Sequence, residues 1–112
     1  MPRKSMESLT ESMFYVLMAL MEGAMCGIEI AAYLERRTAR RMLIGPATLY
    51  TILGKFEKEG YIREIEVIGR KRTYAITEQG KQAYLTELSR LRCCVRDAED
   101  AEAERRRQNG NA

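Results

Sequence analysis

The chain has 112 residues, of which 46% are hydrophobic and 31% charged, and its 19 Lys and Arg against 16 Asp and Glu give a net charge of +3. This length and apolar content predict one small soluble domain, and they exclude a disordered chain, a collagen-like repeat and a pair of independent domains. The chain contains no His and only 3 Cys, without CxxC spacing, which excludes His-based nucleophile activation and argues against a zinc site or a disulfide framework.

The first part of the chain is predicted to form two helices. Ser8 and Glu11 have the spacing of a capping box, and apolar residues at spacings of three and four then predict a helix over residues 9 to 22. Gly23 is expected to end it in a left-handed conformation. A second helix is predicted over residues 27 to 37, and it leads into an exposed basic cluster of Arg36, Arg37, Arg40 and Arg41.

A third helix is predicted between Gly45-Pro46 and Gly60, because proline needs no amide partner at the first helical position and glycine suits the end of a helix. Its apolar face, predicted to join the core, consists of Leu49, Ile52, Leu53 and Phe56. The opposite face, free to meet a partner, centres on Ala47, Thr51, Gly54 and Lys58, flanked by Thr48, Lys55 and Tyr50. Tyr50 lies between the two faces and suits either.

After Gly60 the pattern changes to that of a β-hairpin. Residues 61 to 68 and 71 to 76 are rich in β-branched and aromatic side chains, and Gly69-Arg70 between them predicts a type II′ turn. This register places Ile68 opposite Lys71 and Ile65 opposite Tyr74. It also puts Val67 and Ile76 on one apolar face, which we expect to cover the helices, while the tip presents Arg70, Lys71 and Arg72.

Thr77 is a suitable N-cap for a long final helix. Apolar residues at alternating spacings of four and three form a seam along it, which consists of Tyr84, Leu88, Leu91, Val95 and Ala98. We expect this seam to join two copies of the chain, because a projecting helix with such a stripe would expose a large apolar strip to water. The alternative is that the helix folds back on its own domain.

Three helices followed by a hairpin with a basic tip predict a mainly helical α+β fold, a winged helix-turn-helix. Its predicted units are a DNA-binding domain over residues 1–77, a dimerisation helix over residues 78–107 and a disordered tail over residues 108–112. Residues 36 to 72 carry 10 Lys and Arg against 4 acids. Beside a helix-turn-helix pattern, such a basic patch indicates binding to the phosphates of nucleic acid; the alternative is a solvated surface without a partner. The candidate DNA-binding residues are Arg40, Arg41, Ala47, Thr48, Tyr50, Thr51, Lys55, Arg70, Lys71 and Arg72.

Four segments resemble the PadR-like regulators, a family named for phenolic-acid response, within a similarity that spans about residues 9 to 92. They are residues 22–30 (EGAMCGIEI), 46–50 (PATLY), 57–62 (EKEGYI) and 69–80 (GRKRTYAITEQG). The resemblance implies a homodimeric repressor whose C-terminal helix pairs with the partner's N-terminal helix and whose winged domain reads a two-fold operator. Ile28 departs from the aromatic residue common in the family, and the chain has no Trp to form the drug-stacking pocket of some relatives.

We therefore expect a sequence-specific transcriptional regulator that binds a palindromic operator in double-stranded DNA as a homodimer, with a small-molecule effector possible at the dimer interface. We expect no enzymatic activity, cofactor or metal. The alternative is a winged-helix module that binds another protein. No apolar run approaches the roughly 20 residues of a membrane span and the first residues lack the features of a signal peptide, so a cytoplasmic location without membrane association is expected.

Overall fold

The computed structural model describes residues 9–110, and its elements follow the predicted order with one addition. Helices α1 (Glu11–Glu22), α2 (Gly27–Arg37) and α3 (Pro46–Glu59) precede the hairpin strands β2 (Ile62–Ile68) and β3 (Lys71–Ile76) and the long helix α4 (Glu78–Gly110). The addition is a two-residue strand, β1 (Met25–Cys26), before α2. The three strands form one antiparallel sheet in the order β1-β3-β2. The predicted α+β class and winged arrangement are confirmed.

The core lies where the apolar faces of α1, α2 and α3 meet. The predicted inner face of α3 is buried, as the sequence pattern requires. Each Leu, Ile or Phe side chain removed from water in this way contributes roughly 1.5–3 kcal/mol. The largest fully buried apolar side chains are Val16, Leu17, Leu20, Ile30, Leu34, Leu53 and Phe56.

The two ends of α1 differ from the prediction. The helix begins at Glu11 and its N-cap is Thr10, whose hydroxyl oxygen accepts a hydrogen bond of 3.1 Å from the amide of Met13. Ser8, the predicted cap, lies outside the described residues. Gly23 has φ 153° and ψ 177°. This is a nearly extended conformation with positive φ that residues with a side chain rarely adopt, and not the predicted left-handed turn. The chain leaves α1 extended because it passes directly into β1.

The turn of the hairpin matches the prediction. Ile68 pairs with Lys71, and of the two turn residues only Gly69 has a positive φ, of 61°. A positive φ at the first turn residue alone is the pattern of the predicted type II′ turn.

Farther from the turn, the observed register differs from the predicted one. A β-bulge between Glu64 and Glu66 makes Glu64, and not Ile65, the partner of Tyr74. The extra residue changes which side chains share a face beyond this point. Ile65 is 46% and Val67 is 52% exposed, so the outer half of β2 does not cover the helices as predicted. Ile76 does pack against the core.

The end of α3, the base of the hairpin and the start of α4 meet at Thr77. Its hydroxyl accepts a hydrogen bond from the amide of Gly80 at 3.1 Å and donates one to the carbonyl oxygen of Gly60 at 2.6 Å. The predicted N-cap is confirmed, and it also joins α4 to the end of α3. Gly80 packs so closely here that a methyl group on it would overlap the carbonyl oxygen of Tyr61 and approach Ile76 to 2.8 Å.

Beyond this junction, α4 contacts α1 and then projects from the domain. The rings of Tyr84 and Phe14 stack with centroids 5.0 Å apart. With 33 residues, α4 is about 50 Å long at a rise of 1.5 Å per residue. It includes residues 108–110, which the sequence assigns to a disordered tail, while residues 111 and 112 lie outside the described part. Within residues 9–110, no helix is long and apolar enough to span a bilayer.

We expect Gly80→Ala to lower the free energy of unfolding by about 2–3 kcal/mol, because the added methyl meets backbone that cannot move without separating α4 from the hairpin. Urea unfolding followed by circular dichroism measures the change. Gly54→Ala is the matched control: Gly54 lies inside α3, and a methyl group added there would have nothing within 4 Å, so this change should stabilise the chain by about 1 kcal/mol. Unchanged stability of Gly80→Ala would contradict the packing described.

Candidate nucleic-acid interface

The exposed face of α3 carries the residues that the sequence predicts for contact with bases. Ala47, Thr48, Thr51 and Lys55 are all exposed. The helix has the predicted bounds, with Pro46 at its first position and Gly60 ending it in a left-handed conformation of φ 78°. Burial of the opposite side fixes the rotation of α3 about its axis, and this face is therefore held open to solvent.

A cleft of about 550 Å³ lies between the start of α2, the side of α3 and the tip of the hairpin, and we call it the wing cleft. Tyr50 lines it from α3, and Arg70, Lys71 and Arg72 line it from the hairpin. The structure thus brings four of the predicted DNA-binding residues to one concave surface. That surface adjoins the exposed face of α3 through Tyr50.

The basic side chains of the wing cleft differ in their partners. A guanidinium nitrogen of Arg72 lies 3.5 Å from a carboxylate oxygen of Glu64 on the neighbouring strand. Arg70 and Lys71 form no salt bridge with any residue in the described part of the chain. Among the described residues, Arg72 thus has a paired carboxylate, while the charge of Lys71 acts on Glu29 in the same cleft and helps to lower its pKa.

The short strand β1 joins the start of α2 to the hairpin of β2 and β3, which we call the wing. Met25 pairs with Tyr74 and Cys26 pairs with Thr73 of β3. The amide of Cys26 also donates a 2.9 Å hydrogen bond to a carboxylate oxygen of Glu29 in the first turn of α2. This bond, together with one from the Cys26 thiol, holds the pKa of Glu29 below its ordinary value.

Four residues that line the wing cleft were not among the predicted site residues: Cys26, Gly27, Ile28 and Glu29. A strand of two residues has no periodicity, and its partner lies almost 50 residues away in sequence. The spacing of Cys26 and Glu29 is that of a capping pair, and it was the signal that could have marked this junction.

Arg40 and Arg41 lie outside the wing cleft. Arg40 forms an ion pair with Glu35, and Arg41 donates hydrogen bonds to the Tyr15 hydroxyl at 3.4 Å and to the Thr38 carbonyl oxygen at 3.3 Å. Ala39 and Arg40 adopt positive φ values of 51° and 65°, a conformation that disfavours residues with a side chain. These arginines hold the loop between α2 and α3, and their contact with DNA stays a prediction.

The predicted dimerisation seam is divided in the structure. Tyr84 packs against Phe14 of its own chain, and Leu88 and Leu91 are half-buried. Val95 is 56% exposed and Ala98 is exposed as well. The first turns of α4 thus fold onto their own domain, the alternative that the sequence left open, while the later part of the seam faces solvent.

Comparison with known proteins agrees with this architecture. The model of the transcriptional regulator PadR-like family matches residues 16–87. The solved structure of a transcriptional regulator from Clostridium thermocellum is 27% identical, with a TM-score of 0.71 over 79% of this chain and 89% of that one. Bacillus subtilis PadR, solved in complex with operator DNA, is 24% identical, with a TM-score of 0.63 over 70% of this chain and 48% of that one.

The chain is also similar in sequence to a curated relative, an uncharacterized 37.1 kDa protein in a transposon of Streptomyces fradiae. It is 32% identical over 72 residues, which are 64% of this chain and 20% of that protein. The chain therefore spans about a fifth of the length of this relative.

We expect Glu29→Gln to lower the thermal midpoint at pH 7 and to matter less as the pH falls. Because the folded-state pKa of Glu29 lies below the ordinary 4.5, the stabilisation from its carboxylate is complete above that value and is lost as the pH falls through the folded-state pKa. Thermal unfolding of both proteins between about pH 3 and pH 7 measures this difference. The control is Glu66→Gln on the exposed part of β2, and a pH-independent effect at Glu29 would contradict the role given to its carboxylate.

Proposed function

The chain belongs to the PadR-like family of transcriptional regulators, and from this membership we propose that it is a sequence-specific DNA-binding regulator that acts as a homodimeric repressor. The observation that carries the proposal is the joint placement of Tyr50 and three basic side chains in the wing cleft, beside the exposed face of α3. A small molecule or another signal releases the repressor from its operator.

In the proposed complex, α3 enters the major groove and the wing follows the adjacent backbone. Ala47, Thr48, Thr51 and Lys55 then face base edges, while Arg70, Lys71 and Arg72 neutralise phosphates. That the Bacillus subtilis relative was crystallised with operator DNA supports DNA as the partner of this fold.

The chemistry of the α3 face limits what each residue can read. The hydroxyl of Thr51 donates its hydrogen bond to the carbonyl oxygen of Ala47 at 2.9 Å. It is then left as an acceptor, which suits the amino group of adenine or cytosine. Lys55 carries only donors and suits the acceptors of guanine.

Dimerisation is proposed from the exposed part of α4. Leu85 and Val95 are exposed and Leu88 and Leu91 are only half-buried. An apolar stripe on a helix that extends beyond its own domain is stabilised by a partner that removes it from water. A second copy of the chain, whose α4 and N-terminal helix pack against this stripe, removes it from water, and a two-fold dimer reads a two-fold operator.

The proposed effector acts at the dimer interface. A ligand changes DNA affinity only if it binds one arrangement of the two subunits more tightly than the other. Since α4 joins the wing domain through Thr77, a change in how two α4 helices pair would change the separation of the two α3 helices.

We expect the double variant Arg70→Gln/Lys71→Gln to bind duplex DNA about 10- to 100-fold more weakly than the wild type in dilute salt. The slope of log K against log salt should also become shallower by about 2, because two phosphate contacts release their counterions in the wild type. Fluorescence anisotropy with a labelled duplex over a series of salt concentrations measures both quantities.

The matched control is Arg106→Gln/Arg107→Gln, which removes the same charge near the end of α4. Equal losses in both double variants would mean that only net charge matters, and the role of the wing would be wrong. If the wild type fails to bind any duplex in dilute buffer but retains a protein partner, the chain is a protein-interaction module.

We expect Val95→Asp to shift the chain from dimer to monomer, because pairing would bury the new carboxylate in an apolar seam. Sedimentation equilibrium should give the chain mass of 12.9 kDa for the variant and twice that mass for the wild type at micromolar concentration. Cys93→Asp adds the same charge on the opposite side of the exposed helix, and it should leave the dimer intact. A wild type that sediments as a monomer would contradict the proposed dimer.

A further inference from the structure

Gly27 is a glycine that the backbone does not require. It is the first residue of α2 and is buried, and its φ is not among the positive values of the chain. The reason for glycine lies in the space around it. A methyl group at this position would lie 3.1 Å from the hydroxyl oxygen of Tyr50, 3.4 Å from the ring carbon that bears it, and 3.5 Å from Leu49.

This contact places the Tyr50 ring against the backbone of α2. Tyr50 is 53% exposed, so nothing buries the whole ring, and one edge meets Gly27 while the side chain also lines the wing cleft. Without a side chain at residue 27, the hydroxyl lies directly over the start of α2. A methyl group there would push it outward by a few tenths of an ångström or into another rotamer.

The surface on which Tyr50 rests is itself fixed relative to the wing. Gly27 directly follows Cys26, whose backbone pairs with Thr73 of β3 and whose amide is bound by Glu29. The distance from Gly27 to the basic tip of the hairpin is thus set by a sheet and a helix cap. A hydroxyl held by Gly27 has a defined position relative to Arg70 and Lys71.

We propose that Gly27 is a positioning residue for DNA binding, because it allows the Tyr50 hydroxyl to lie in the wing cleft where it donates a hydrogen bond to a backbone phosphate held by the wing. This inference rests on the proposed DNA-binding function. A phosphate contact of this kind carries no sequence information, so it acts on any duplex that the wing and α3 engage.

A double-mutant cycle tests the inference with Gly27→Ala, Tyr50→Phe and the double variant. The probe is a labelled duplex of about 30 base pairs and mixed sequence, titrated in dilute salt. We expect Tyr50→Phe to weaken binding about tenfold, as for the loss of one hydrogen bond to a charged group. Gly27→Ala should weaken it by about three- to tenfold, because the methyl group displaces the hydroxyl without removing it. Phenylalanine lacks the oxygen that the methyl group meets, so Gly27→Ala should change the affinity of the Tyr50→Phe protein less than about twofold.

Salt dependence separates positioning from a general disturbance of the wing. A neutral hydroxyl releases no counterions, so Gly27→Ala should weaken binding without changing the slope of log K against log salt. A displaced wing would instead make that slope shallower. Thermal unfolding should show that Gly27→Ala is folded with a midpoint close to that of the wild type, since the half-exposed Tyr50 is able to move aside.

Three results would overturn the inference while DNA binding itself stands. They are a Gly27→Ala protein that binds like the wild type, an equal loss from Gly27→Ala on both backgrounds, and a Gly27→Ala protein that no longer folds. If the wild type binds no duplex, the proposed function fails first and this inference fails with it.

Discussion

The pairing of Met25 and Cys26 with Tyr74 and Thr73 determines how α2, the wing and the exposed face of α3 are arranged around the wing cleft. The hairpin consists of two strands that extend beyond the helices. Its outer half has no helix packed against it, as the exposure of Ile65 and Val67 indicates. The two residues of β1 add a third strand beside β3 at the start of α2. Backbone hydrogen bonds therefore fix the angle of the wing to the helices, and the wing cleft has a defined width.

Two glycines allow further close contacts between elements, because neither has a side chain that would keep its backbone away from the neighbouring group. Gly80 brings the first turn of α4 onto the carbonyl of Tyr61, and Gly27 brings the start of α2 onto the Tyr50 ring. The first contact joins the wing domain to the projecting helix, and the second joins α2 to the face of α3. Thr77 adds hydrogen bonds to both Gly60 and Gly80, which join the first turn of α4 to the end of α3.

The sequence predicts the parts of this structure that depend on local patterns. The bounds and buried face of α3 follow from Gly45-Pro46, Gly60 and the spacing of Leu49 and Phe56, and the turn at Gly69 follows from the preference for positive φ. Strand β1 could not be predicted, because two residues show no period and their pairing is non-local. The bulge at Ile65 could not be predicted, because polar and apolar residues alternate without a break from Glu64 to Val67. The predicted partner of Tyr74 was therefore wrong by one residue.

The candidate site residues also fall into two groups, those that local sequence patterns predict and those that depend on contacts distant in sequence. The exposed face of α3 and the basic tip follow from helical periodicity and from charge, whereas the contribution of Gly27 and Glu29 to the wing cleft depends on the pairing of β1. The division of the seam at Tyr84 depends on the position of Phe14, which no spacing within α4 reveals.

The most direct measurement is hydroxyl-radical footprinting of the wild type on a fragment that it selects from its source genome. We expect two symmetric protected patches with centres about 10 base pairs apart, one for each α3 and wing of a two-fold dimer. A single unsymmetrical patch, or no protection in dilute salt, would contradict a dimer that reads DNA through the wing cleft and α3.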